Sequence, residues 1–344
     1  MRFRRGGSGG SRKVDSPRLE AAFRDALSAL LEDDLDGAEA ALAAVVQEDS
    51  SQVEVYLLLG QLYRRRGEIA RAIRVHQNLL LRRDLDEAHR ERALRGLARD
   101  FRKGGFLTRA IAAYEELRDR RPRDPETLAA LARLRADTRD FDGALDAHRR
   151  WARASGEDGR AGEAALWLER SEAERAEGRG DAARRALAKS LKLVRDQALA
   201  WLRLGELEAE RGKPKKAVAA WQNALDADRR VAALVYPRLE AALADLGRSV
   251  QFEGDLRKRL EARPDDAGAR LAWSRSLATR GETGAAIEEV EALLTQDPER
   301  LDLHAARARL LLATGREGEA AKALAALIEV LERGGLLVPR EPLE

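Results

Sequence analysis

One short pattern recurs through this chain at a nearly constant interval. A glycine is followed five positions later by an alanine at Gly67 and Ala72, Gly105 and Ala110, Gly178 and Ala183, Gly212 and Ala217, and Gly315 and Ala320. Ala38, Ala144, Phe252 and Ala286 stand at the alanine position in four related stretches. Successive members are 34, 38, 34, 39, 34, 35, 34 and 34 residues apart. Such self-similarity argues against a single globular core and for stacked units, each burying its apolar face against the next.

Each unit reads as two helices. Tyr56, Leu59, Gly60 and Tyr63 fall at i, i+3, i+4 and i+7, one stripe of a helix; Ala72, His76 and Leu79 make a second at i, i+4 and i+7. Between them, Gly67 predicts a helix end in the left-handed region, which glycine enters without a Cβ clash. Gly60 and Ala72 are small enough for the helices to approach closely, with Tyr56 and Tyr63 filling the space alongside. The sixth unit repeats the scheme with Trp201, Leu204, Gly205, Gly212, Ala217 and Trp221. Pro122, Pro264 and Pro298 follow the second helices of units three, seven and eight, where a stop is needed.

The predicted fold is therefore all-α, a superhelical solenoid of about nine helix-turn-helix units spanning residues 17–334. A disordered basic arm, 1–16, precedes it and a tail, 335–344, follows. The longer steps mark two insertions, His89 to Leu94 and Ser155 to Gly162, the latter (SGEDGRAG, 155–162) the candidate hinge.

These residues resemble the tetratricopeptide repeat, with its aromatic-x-x-Leu-Gly-x-x-aromatic run, later small-x-x-x-aromatic run and terminal proline. Units two, three and six carry the likeness best. Units five, seven and nine carry it mostly by spacing, with Ser171 and Glu240 where a small residue is preferred. Within that class, the runs LLLGQLYRRRGEIARAIRVHQNLL (Leu57 to Leu80) and GLARDFRKGGFLTRAIAAYEEL (Gly96 to Leu117) are similar to repeats of the lipopolysaccharide assembly protein B family. Polar His76, Gln77 and Asn78 do not follow from the general repeat rule and so weigh more than another leucine. The resemblance implies an adaptor that presents the deacetylase committed to lipid A synthesis to an inner-membrane protease. It covers the repeat body, and no counterpart of the family's transmembrane helix or four-cysteine, rubredoxin-like zinc module is expected within these 344 residues.

Catalysis is not expected. The chain has no cysteine, which excludes disulfides, thiolate metal sites and cysteine nucleophiles together. Its four histidines, His76, His89, His148 and His304, never fall at the i, i+3 or i+4 spacing of a helical metal site. His76 and His148 share one second-helix position and read as packing residues. No phosphate-binding loop, nucleophile elbow or dinucleotide fingerprint occurs. No enzyme activity, cofactor or metal is predicted.

Binding surfaces are the better candidates. The first helix of each unit should line a concave groove. In units two and three that places Glu54, Leu57, Gln61, Arg64 and Arg65, then Arg92, Arg95, Arg99, Arg102 and Lys103, in the groove. Most are basic, which suits an acidic peptide segment or a chain-terminal carboxylate. In unit six, Leu199, Leu202, Glu206, Ala209 and Glu210 make the corresponding stretch mildly acidic.

The net charge of +3 resides in the arm, where Arg2, Arg4, Arg5, Arg12 and Lys13 precede the first acid and leave the body slightly acidic. These bases read first as a solvated tail and next as contact with an anionic membrane surface; nucleic acid comes last, since Phe3 is the arm's one aromatic. No window is long and apolar enough to span a bilayer, so the expected location is the cytoplasm, with peripheral contact at the inner membrane. The predicted role is a protein-protein adaptor; a generic scaffold for another complex, or a peripheral membrane or nucleic-acid binder acting through the arm, are the alternatives.

Overall fold

The computed structural model describes residues 17–48 and 51–334. Over those residues the chain forms eighteen α-helices and one 3-10 turn, with no strand. It divides into two compact units between Leu166 and Trp167. The first holds four helix pairs: α1 (Pro17–Leu31) with α2 (Leu35–Glu48), α3 (Val53–Arg65) with α4 (Ile69–Leu80), α5 (Glu87–Lys103) with α6 (Leu107–Arg120), and α7 (Pro125–Asp137) with α8 (Phe141–Ser155). Helix α9 (Arg160–Ala176) contains the division, and α10 (Gly180–Leu193) follows. The second unit continues with α11 (Ala198–Glu210) and α12 (Pro214–Ala227), α13 (Ala232–Asp245) and α14 (Ser249–Ala262), α15 (Ala267–Thr279) and α16 (Thr283–Gln296), and α17 (Leu301–Ala313) and α18 (Glu317–Arg333). The expected all-α array of helix-turn-helix units is what the chain forms.

Every pair is built around the same buried position. Ala38, Ala72, Ala110, Ala144, Ala183, Ala217, Ala286 and Ala320 are at most 1% exposed, and Phe252 is 5% exposed. Five residues before each, the backbone turns left-handed, with φ of 79° at Gly67, 76° at Gly105 and similar values at five further glycines. Where no glycine is available the turn persists, at φ 60° on Asp33 and 62° on Arg139. In all nine hairpins the next residue donates its N–H to the carbonyl five residues back, at 2.7–3.0 Å. That bond closes the helix end and satisfies a carbonyl the helix would otherwise leave open.

A second close approach differs from the sequence expectation in its partner. The His76 ring, rather than Ala72, rests on Gly60, where an added Cβ would fall 2.3 Å from the ring. Gly96, in the following repeat, approaches the same ring, an added Cβ falling at the same distance. Trp221 covers Gly205 in the same way. The glycines are thus cradles for the large residue four positions after the small one.

The insertions become ordered structure. His89 to Leu94 lies within α5, which has 17 residues against 13 in α3 and α7, so the extra residues add a turn of helix. At 155–162, Ser155 ends α8, Gly156 turns left-handed at φ 77°, and Arg160 begins α9. The His148 Nε2–H donates to the Gly159 carbonyl at 2.8 Å across this connection.

A side chain in the left-handed region costs about 1–2 kcal/mol. Arg139→Gly is therefore expected to stabilise the first unit by about 1 kcal/mol, and Gly105→Ala to destabilise it similarly. Urea unfolding followed by circular dichroism checks both signs.

Candidate partner-binding face

Ion pairs between successive first helices tie several of the predicted groove residues of the first unit together. Arg64 Nη1 donates to Asp100 Oδ1 at 2.7 Å, joining α3 to α5. Arg95 Nη1 reaches Asp124 Oδ2 at 3.0 Å, Thr127 Oγ1 at 3.3 Å and Glu126 Oε2 at 3.1 Å, joining α5 to the start of α7. Arg99 also pairs with Glu126. Arg65 Nη2 donates to Asp33 Oδ1 at 2.6 Å, and Arg92 Nη1 to Glu54 Oε1 at 3.3 Å. Gln61 is exposed, whereas Leu57 belongs to the core.

The basic stripe is therefore largely self-neutralised. Arg64, Arg65, Arg92, Arg95 and Arg99 each meet a carboxylate from a neighbouring repeat. Arg102 and Lys103 are exposed in the last turn of α5 and ion-pair with no carboxylate among the described residues. A carboxylate brought to this face would meet these two without competition and elsewhere would have to exchange with Asp33, Glu54, Asp100, Asp124 or Glu126.

The same neutralisation removes the acidic stretch expected in unit six. Arg175, Arg203 and Arg238 surround Glu206 at 3.1, 3.0 and 2.9 Å, and Arg175 also engages Glu210. Leu202 is buried.

Beneath the first unit's face lies a buried polar joint. Asp100 is fully buried and His76 is 2% exposed, with His76 Nδ1 2.6 Å from Asp100 Oδ2. The carboxylate accepts from His76 on one oxygen and from Arg64 on the other. A buried carboxylate tolerates loss of water only when so satisfied.

At the edge of the face, His89 Nε2 lies 2.7 Å from Glu54 Oε1 and Nδ1 lies 2.7 Å from Asp86 Oδ2. Both carboxylates only accept, so both ring nitrogens carry protons and the ring is an imidazolium. The bond to Glu54, then that to Asp86, raises the pKa of His89 above its ordinary value. Burial pushes Glu54 up, but the His89 bonds and charge outweigh it and leave it lowered.

Sequence reasoning missed Arg275 on α15 and Arg309 on α17, both 11 residues before their unit's small residue, as Arg99 is. Extending the groove register to units eight and nine would have found them. Arg275 Nε is buried without a hydrogen-bond partner, and the side chain lines cavities of about 390 and 290 Å³. Burial, assisted by Arg309 and opposed by Glu240, holds Arg275 below its ordinary pKa.

Arg2, Arg4, Arg5, Arg12 and Lys13 lie outside the described residues, as do Leu336, Leu337 and Val338. Among the described residues no cluster of histidine and carboxylate groups could hold a metal ion, and no helix is long and apolar enough to cross a membrane.

The tetratricopeptide-repeat family profile matches residues 23–88, 95–159, 168–232 and 271–333. The chain belongs to the tetratricopeptide-repeat family. The residues passed over between 88 and 95 are the insertion marked by the sequence spacing, and those between 232 and 271 contain α13 and α14. Lipopolysaccharide assembly protein B of Escherichia coli is 26% identical over 251 residues, covering 73% of this chain and 64% of that protein. Its Haemophilus influenzae counterpart is 27% identical over 257 residues, covering 75% and 64%. This chain thus spans 64% of the length of the curated relatives it matches. Among solved structures, a tetratricopeptide repeat protein from Parabacteroides merdae superposes with a TM-score of 0.43 at 16% identity, over 75% of this chain and 98% of that one. The C-terminal part of a repeat protein from Cytophaga hutchinsonii gives 0.46 at 14% identity, over 78% and 98%.

Two outcomes follow from this geometry. Asp100→Ala leaves His76 and Arg64 without their common acceptor and is expected to cost about 3 kcal/mol in urea unfolding of the first unit. The His89 contribution is full below about pH 6.5 and is lost as pH rises through the raised pKa. A stability decline of a few tenths of a kcal/mol as pH rises from about 6.5 through that raised pKa, absent in His89→Gln, is expected, small because the pair is screened by solvent.

Proposed function

We propose that this protein is a non-enzymatic adaptor that captures an acidic segment or chain terminus of a protein partner on the α3, α5 and α7 face. The observation that carries this reading is the placement of Arg102 and Lys103, two exposed cations without carboxylate partners, beside a row of arginines whose partners are exchangeable. An arginine fork already aligned by one carboxylate is pre-organised to take another. Arg275, also without a carboxylate partner, would supply a comparable anchor in the second unit.

We further propose, from the likeness to lipopolysaccharide assembly protein B, that the partners are a membrane protease and the deacetylase of lipid A synthesis. In that role the adaptor presents the deacetylase for degradation at the inner-membrane surface and so limits lipopolysaccharide synthesis.

Affinity purification of the tagged protein after mild crosslinking, from its own cells, tests both levels. Arg102→Glu with Lys103→Glu should weaken partner capture by about tenfold or more without moving the melting temperature. Arg95→Glu with Arg99→Glu should lose capture and stability together, since those residues also join α5 to α7. Capture unaffected by the first double variant would rule out this face. Recovery of an assembly containing neither a protease nor the deacetylase would leave the adaptor reading and remove the lipid A role.

A further inference from the structure

The seventh repeat departs from the others at two positions that elsewhere are small. Phe252 stands at the buried alanine position of α14, and Glu240 stands on α13 where the other repeats have Gly, Ala or Ser. Helix α13 also contains Pro237, which cannot donate the N–H due to the carbonyl four residues back. The consequence is looser packing: α13 and α14 associate less closely than α11 with α12, α15 with α16 or α17 with α18. The family profile passes over this repeat as well.

What opens between α12, α13 and α14 is a cavity of about 240 Å³. Its floor is formed by Leu225, Leu239, Leu243, Leu256 and Phe252, all at most 5% exposed. Tyr236 stands on the wall, edge-on to Phe252 with ring centroids 6.5 Å apart. The residue is 3% exposed, and its hydroxyl is buried with no hydrogen-bond partner among the described residues. Burial, the largest influence on Tyr236, holds the phenol far above its ordinary pKa, so it remains a protonated donor. A buried hydroxyl left unpaired is costly, and native interiors rarely keep one.

The mouth selects by charge. Arg259 is committed to Asp266 at 2.9 Å and to the Leu225 carbonyl at 3.2 Å, with Asp226 at 3.4 Å. Asp255, half-buried at the rim, has no ion-pair partner among the described residues. An anion entering here would meet uncompensated negative charge.

We propose that this cavity is a binding site for a small uncharged organic molecule, aromatic or branched aliphatic, whose single carbonyl or hydroxyl oxygen accepts from Tyr236. An apolar cavity of about 150 Å³ accommodates benzene, so this one suits roughly ten non-hydrogen atoms. Its occupancy would stiffen the loosest hairpin of those four and stabilise the second unit in proportion to ligand concentration. The site is independent of the partner-binding face and of the lipid A role.

The test uses two probes of the same shape, acetophenone and α-methylstyrene, which differ in having a carbonyl or a vinylidene group. They are titrated into the full chain while leucine methyl resonances are followed by NMR. Saturable shifts confined to Leu225, Leu239, Leu243 and Leu256 are expected, with acetophenone bound about tenfold more tightly. Tyr236→Phe removes one atom that has no partner; it should raise the melting temperature and reduce the affinity ratio to about one. Leu239→Phe should fill the space and weaken both probes. Failure of both probes to saturate, or a ratio unchanged in Tyr236→Phe, overturns the proposal. So does a fall in melting temperature with Tyr236→Phe, since the hydroxyl would then already be satisfied.

Discussion

The structure depends on reversing one helix against the next in so few residues that the pair can share a buried alanine. That reversal passes through a left-handed residue, and the rest of each repeat is arranged around it. Seven of the nine turns use glycine, but Asp33 and Arg139 adopt the same conformation with side chains that disfavour it. The backbone bond that closes each turn is common to all nine, and the residue five positions on is buried in all nine, an alanine in eight and Phe252 in the other, so packing dictates the turn where the residue alone would not. Strain of this kind persists only where the surroundings over-determine it.

The charge content has a related origin. Residues at equivalent positions in adjacent repeats are neighbours, so a periodic cation faces a periodic anion one helix away. Arg66 and Arg71 both reach Glu39 in the preceding repeat, at 2.8 and 2.7 Å, and Arg71 also covers the Tyr63 ring at 3.9 Å. Arginine is favoured over lysine because its fork holds several acceptors at once. Individually such exposed pairs contribute little, but together they set the register of repeat on repeat. The proposed partner-binding face draws on the same stock of arginines, most of them already neutralised. Its uncommitted cations are exceptions that function can use.

Where the repeat rule is broken, the structure loosens. Phe252 and Glu240 prevent α13 and α14 from closing as their counterparts do, and the Tyr236 cavity is the result. The opposite departure, the four extra residues in the step that holds His89 to Leu94, is absorbed as one more turn of α5. A helix can lengthen outward at little cost. A helix pair cannot accommodate bulk at its contact without separating.

The sequence by itself determined the helix pairs, their number, their turns and the buried small position, alanine in eight and Phe252 in the ninth, because a period of about 34 residues and a heptad-like apolar stripe are local and repeat often enough to be unambiguous. It also pointed to a candidate face, through the register of each repeat, on which the proposed partner capture rests. What tertiary structure alone decided is which of those side chains are free. That Arg95 is spent on Asp124 while Arg102 is unpaired, that His76 lies between two glycines a repeat apart, and that the Tyr236 hydroxyl faces a cavity all depend on distances across helices. Ion pairing and void formation vary over an ångström or two, whereas sequence periodicity specifies position only to the nearest residue, about 1.5 Å along a helix and 100° around it.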